Sequence, residues 1–124
     1  MIQLDTSFLI RAMVRRSAED QRLRAWLHQG EPIGIGAIAW AEFLCGPLSP
    51  DAVSAARDLV GEPIPFGPAE AARAAGLFND SGRRRGTLMD CMIAATAIES
   101  SAALATGNRS DFERLAALGL SLAA

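Results

Sequence analysis

Short apolar runs alternating with amphipathic segments predict an α/β fold, with a mainly parallel sheet covered on both faces. Three runs read as strands: Ile2-Gln3-Leu4, Ile33-Gly34-Ile35-Gly36 and Ala102-Ala103-Leu104-Ala105. No internal repeat or low-complexity linker divides the sequence, and 124 residues suit a single domain spanning 1–124. A chain of that length buries roughly two-thirds of its unfolded surface, enough for a real core.

The elements follow in order along the chain. Ile2-Gln3-Leu4 is short and apolar, a buried first strand. Asp5-Thr6-Ser7 is a turn and N-cap signal, after which Phe8, Leu9, Ala12 and Met13 recur at helical spacing. Ala18 to Gln29 forms a second amphipathic helix, stopped by Gly30-Glu31-Pro32. The glycines of the second strand, Ile33 to Gly36, signal close backbone approach rather than a hairpin. Ala37 to Cys45 is helical and ends at Gly46-Pro47, and Ser49-Pro50-Asp51 caps a further helix to about Val60. Pro63-Ile64-Pro65-Phe66 carries two prolines and can only be an edge or very short strand. Pro68 opens a helix through Phe78. Asn79 to Gly82 and the three arginines after it form a loop. Thr87 begins the apolar helix through Glu99, Ser110 begins the last helix, and Leu120-Ser121-Leu122 is a candidate final strand.

Composition removes several chemistries. Half the residues are hydrophobic and 21% are charged, which argues against disorder. No apolar run reaches the ~18 residues of a membrane span, and the N-terminal segment lacks the pattern of a secretion signal. A cytoplasmic protein is expected. Cys45 and Cys91 form no CxxC pair and are expected to be buried thiols. All twelve basic residues are arginine, so no Walker, Schiff-base or kinase lysine is available. The single histidine, His28, falls near the end of a surface helix, which argues against a serine–histidine triad. Carboxylate chemistry remains. A net charge of −2 is not the footprint of a strongly basic nucleic-acid binder. Basic charge is nevertheless clustered at Arg11, Arg15 and Arg16, and again at Arg83-Arg84-Arg85, where guanidinium groups are suited to phosphate.

Four acids stand out by position. Asp5 ends the first strand, Glu42 lies in an apolar helix, Asp90 opens another, and Asp111 follows the third strand after a short polar turn. Ligands of parallel sheets bind beyond the carboxyl ends of the strands. That rule puts Asp5 and Asp111 at one end of the sheet, where the helices of Glu42 and Asp90 could lean over them. Two like charges at ~4 Å cost roughly 4 kcal/mol at an effective dielectric of ~20. A divalent cation would relieve that repulsion, and oxygen ligands suit Mg2+ or Mn2+. Taken singly, three of these acids have a plain alternative as helix caps. Asp5 could cap the first helix, Thr87-Leu88-Met89-Asp90 resembles a capping box, and Ser110-Asp111-Phe112-Glu113 is a better one. Glu42 has no such alternative, because the residues three and four away are Ile38, Ala39, Cys45 and Gly46.

Leu4-Asp5-Thr6-Ser7-Phe8-Leu9-Ile10, the Glu42 helix, Met89-Asp90-Cys91-Met92-Ile93-Ala94-Ala95-Thr96-Ala97 and Thr106-Gly107-Asn108-Arg109-Ser110-Asp111-Phe112 together resemble the ordered motifs of PIN-domain nucleases. Within that family the chain is most similar to VapC-type toxins of toxin–antitoxin pairs. The resemblance covers essentially the whole chain. It implies a three-layer α/β/α sandwich, clustered acids holding Mg2+ or Mn2+, endoribonuclease activity and a VapB-like antitoxin. Asp5, Glu42, Asp90 and Asp111 match the acidic quartet, with Asp5 and Asp90 as principal metal ligands and Asp111 at a position that varies. Thr6, Thr106 and Asn108 match polar residues that line or brace the site. The Arg83-Arg84-Arg85 loop has a composition the family does not fix and is a candidate RNA contact.

Two other readings stand beside this one. The first is a non-catalytic α/β binding module. The second is a metal-dependent phosphatase with Asp5 as nucleophile, weakened because Asp5-Thr6-Ser7 lacks a second Asp two places on. Phe8, Met13, Trp26, Trp40 and Leu44 supply bulky apolar surface on the early helices. Either all pack inward, or part of them forms a homodimer seam and a groove for an antitoxin segment, as the resemblance implies. An antitoxin arginine could then pair with the acids and displace metal.

Overall fold

β1 (Ile2–Leu4) is the pivot of the architecture, and all three of its residues are buried. In the computed structural model, which describes residues 1–124, it pairs on one side with β2 (Ile33–Gly34) and on the other with β3 (Ala103–Ala105). β4 (Ser121–Leu122) pairs with the outer side of β3, giving the order β2-β1-β3-β4 with every pair parallel. The register sets Ile2 against Ile33 and Ala103, and Leu4 against Ala105. Parallel neighbours need crossovers, and the helices supply them. α1 (Thr6–Ala12) and α2 (Ala18–His28) link β1 to β2, and α7 (Arg109–Ala116) links β3 to β4. The long crossover from β2 to β3 holds α3 (Ala37–Leu44), α4 (Pro50–Val60), α5 (Pro68–Asp80) and α6 (Leu88–Glu99). The result is the expected α/β/α sandwich. No helix is long and apolar enough to cross a membrane.

The core explains why α6 is so rich in alanine. Cys91 and Ile93 through Ala97 are all buried, so this helix is enclosed on several faces and needs small side chains. It packs tightly on the segment just after β2 at Gly36, where an added Cβ would lie 2.9 Å from Thr96 Cγ2. The glycine signal of the second strand is therefore one of close approach. Leu4, Phe8, Leu9, Ile35, Phe43, Leu104 and Leu115 fill the rest of the interior.

Several expected features are altered. The second strand is shorter than Ile33 to Gly36; Gly36 instead forms an isolated parallel bridge with Ile64. Pro63 and Pro65 cannot donate to a ladder, so the proline-rich segment contributes that single bridge. Asn79 and Asp80 belong to α5, which continues until Gly82 and Arg83 turn to positive φ. α7 starts at Arg109, with Asn108 at its N-cap, rather than at Ser110. Cys91 is buried, and burial pushes its thiol up. Cys45 is exposed, contrary to expectation, because it is the C-cap residue just beyond α3. The bulky early residues divide. Phe8 is buried and stacks on Trp26, and Trp40 stacks on Phe43. Met13 and Leu44 stay exposed at 41% and 48%.

Candidate metal centre

Asp5 follows β1 directly and is held there by its own turn. Its Oδ1 accepts from the Phe8 backbone N–H at 2.8 Å and from the Ser7 hydroxyl at 2.7 Å. Its Oδ2 accepts from the hydroxyl of Thr106, the residue that follows β3. Three donors fix one carboxylate that is only 4% exposed. The same two strand ends are laced further. Gly107 N–H donates to Ser7 Oγ at 2.9 Å, and Asn108 N–H donates to Thr106 Oγ1 at 3.0 Å. Arg11 donates through Nη1 to the Gly107 carbonyl at 2.6 Å.

The remaining acids come from three helices. Glu42 is half-buried on α3, and its Oε1 lies 3.1 Å from the Thr6 hydroxyl, which also reaches the Ala39 carbonyl at 2.9 Å. Asp90 is half-buried in the first turn of α6, and Asp111 is exposed in the first turn of α7. Asp5, Glu42, Asp90 and Asp111 line one cavity of about 270 Å³, together with Thr6, Ser7 and Asn108. Ile10, Ile93 and Phe112 form its apolar wall. The electrostatics register this gathering. Burial, followed by the charges of Asp111, Glu42 and Asp5, raises the Asp90 pKa to about 6, partly opposed by Arg114. The side chains nevertheless ring the cavity rather than converge: no three of them are spaced to ligate one ion as they stand.

A side-chain cap bond accounts for one acid only, although Asp90 and Asp111 both lie in first turns where a carboxylate complements the helix dipole. Asp5 does cap α1. Thr87 makes no side-chain cap bond to α6 and instead donates to the Arg84 carbonyl, so the box around Asp90 does not form. Ser110 and Asp111 lie inside α7, beyond its N-cap. Glu42 has Thr6 as its hydrogen-bond partner, in an otherwise apolar helix.

Other candidates fall elsewhere. Thr106 does not line the cavity; it braces Asp5 from behind. Arg83, Arg84 and Arg85 are exposed on the loop before α6, outside the cavity, and Arg83 is tied to Asn79 at 2.9 Å. His28 is the exposed last residue of α2. A larger cavity of about 510 Å³ lies between α5 and the end of α6, where Arg73 pairs with Glu99 at 3.1 Å. It gathers no acidic cluster. Ser7 is the site residue that sequence reasoning missed. It read only as part of a turn, because its second partner, Gly107, is 100 residues away.

The sequence profile of the PIN domain matches residues 2–118, and the chain belongs to that family. No match is found among curated proteins. Solved structures share the fold over nearly the whole chain. VapBC2 from Rickettsia felis, bound to a DNA fragment from its promoter, is 21% identical with a TM-score of 0.75, covering 99% of this chain and 98% of its own. FitAcB from Neisseria gonorrhoeae is 24% identical with a TM-score of 0.70, covering 99% and 97%. A toxin–antitoxin complex from Klebsiella pneumoniae is 26% identical with a TM-score of 0.73, covering 91% of each chain.

Proposed function

We propose that this chain is a metal-dependent endoribonuclease and the toxin of a toxin–antitoxin pair. One observation carries the reading: Asp5, Glu42, Asp90 and Asp111, from four separate segments, line one cavity beyond the carboxyl ends of β1 and β3. The donor set fits Mg2+ or Mn2+. It is oxygen-only, and Asp90 is raised first by burial and then by the charges of Asp111, Glu42 and Asp5, which a cation would offset. Asp5 and Asp90 would be the direct ligands, while Glu42 and Asp111 would hold a second ion or orient water. When bound, the ion polarises the scissile phosphate and lowers the pKa of the attacking water.

The chain's own residues supply the rest. Phe8 N–H, Ser7 and Thr106 hold Asp5 in one orientation. Thr6 holds Glu42 toward the cavity. The apolar wall of Ile10, Ile93 and Phe112 limits water on one side. The exposed arginines 83–85 add positive charge for RNA near the start of α6. A phosphatase using Asp5 as nucleophile fits less well, because Ser7 stands two places on, where such sites commonly carry a second Asp.

The likeness to toxin–antitoxin complexes supports a VapB-like antitoxin as partner, and the working form is taken as a homodimer. Exposed Ile10, Met13, Val14 and Leu44 offer apolar surface for such contacts. Incubating the purified chain with single-stranded RNA tests the activity. Cleavage should leave 5′-phosphates, stop in EDTA and return with Mg2+ or Mn2+. Full cleavage in EDTA would overturn the reading.

A further inference from the structure

A second charged cavity lies where α1 gives way to α2. Its volume is about 360 Å³, and Arg15, Arg16, Asp20, Gln21 and Arg24 line it without one apolar residue. Three guanidinium groups face one carboxylate, a local excess of positive charge on a chain whose net charge is −2.

The pocket is built rather than incidental. Arg16 holds a positive φ of 67°, which is uncommon for a residue other than Gly or Asn. Two bonds hold it there: its N–H donates to Asp20 Oδ2 at 2.9 Å, and its carbonyl accepts from Gln21 Nε2 at 3.1 Å. Asp20, itself buried, also accepts from Arg24 Nε at 3.0 Å, which holds that largely exposed side chain at the rim of the pocket. The Arg16 N–H, with Arg24 behind it, keeps the Asp20 carboxyl below its usual range against the effect of burial. The Arg15 and Arg16 guanidinium groups enter no ion pair. Glu19, the other acid at this helix start, does not line the cavity.

Position gives the pocket its meaning. Ile10 on α1 lines the acidic cavity, and Arg15 stands just beyond the same helix. Asp5 caps the start of α1 and Arg15 lies three residues past its end; the seven residues of the helix rise about 10 Å, roughly three nucleotides at stacked spacing. Arg11 lies between them, fastened to Gly107. An acidic cleft repels a polyanion, so the strand needs positive charge close by to hold it.

We propose that Arg15, Arg16 and Arg24 form a phosphate-binding subsite that grips the RNA backbone a few nucleotides from the bond cut at the acidic cavity. This rests on the nuclease reading. Guanidinium forks suit phosphate oxygens, and such contacts set register without reading sequence.

The test uses the whole protein and a fluorescent single-stranded RNA of roughly a dozen nucleotides. Binding is measured in EDTA, across salt from about 50 to 200 mM. The variant is Arg15→Gln/Arg16→Asn, since Asn tolerates the left-handed backbone. Its Kd should weaken about tenfold, and its salt slope should fall by about 1.4, two contacts at ~0.7 each. Circular dichroism checks the fold. Should the pair misfold, Arg15→Gln alone should lower the slope by about 0.7. An unchanged Kd and slope would overturn the subsite. So would intact RNA binding with lost binding of a polyglutamate peptide, which would assign the pocket to a protein partner. Arginine-dependent RNA binding without cleavage in Mg2+ would remove the nuclease reading and leave the subsite standing.

Discussion

Thr106 and Asp5 are 101 residues apart in the chain, yet the Thr106 hydroxyl donates to Asp5 Oδ2 in a buried bond that joins the ends of two neighbouring strands. Thr106→Val keeps the shape and removes the donor, and it also leaves the Asn108 N–H without its acceptor. The loss should cost about 1–3 kcal/mol in urea unfolding. RNA cleavage should fall roughly 10–100-fold, as for other groups that orient a metal ligand. Thr106→Ser should recover most of both. Wild-type cleavage by the valine variant would show that Asp5 needs no such brace.

Asp90 should reveal itself through stability. Its folded pKa of about 6 lies above the unfolded value of 3.8. The stabilisation tied to its protonated form is therefore complete below about pH 4 and is lost as pH rises through about 6. In metal-free protein at pH 7, Asp90→Asn should be more stable than wild type by about 1–2 kcal/mol after solvent screening is discounted. The gap should close at pH 4. Activity should vanish at every pH. A variant less stable than wild type at pH 7 would contradict the crowding of charge described here.

The same titration bears on metal uptake. At low Mg2+ the cleavage rate should rise with pH through about 6, because protonated Asp90 is a poor ligand. Saturating Mg2+ should move that midpoint lower, since the ion competes with the proton. A midpoint indifferent to Mg2+ would separate Asp90 from metal binding.

Gly36 tests the packing of α6. A Cβ there would meet Thr96 Cγ2 at 2.9 Å, so Gly36→Ala should cost about 1–3 kcal/mol. Thr96→Ser removes the clashing methyl and should recover part of the loss in the double variant. Thermal melts of the single and double variants measure the coupling. Additive losses would place the strain elsewhere.

Much of this was legible from sequence, for identifiable reasons. Asp5 and Asp111 follow strands, so the sheet rule set both at one end before any contact was known. Glu42 was conspicuous because its helix offered it no polar neighbour. What escaped was pairing over long separations. Ser7 gave no local sign of meeting Gly107, and the capping patterns at Asp90 and Asp111 matched a motif that the backbone does not form. The arginine run 83–85 was conspicuous as a string, yet it lies outside the acidic cavity. The less obvious set, Arg15, Arg16 and Arg24, closes a pocket only because Asp20 folds the turn around itself.

The central claim is that these carboxylates hold a divalent ion, and calorimetric titration of Mn2+ into metal-free protein near pH 7.5 addresses it directly. Wild type should bind Mn2+ saturably, Asp5→Asn and Asp90→Asn should lose most of that heat, and Arg83→Gln should keep it. No saturable binding by the folded wild-type protein, or equal binding by the Asp5 and Asp90 variants, would contradict the claim.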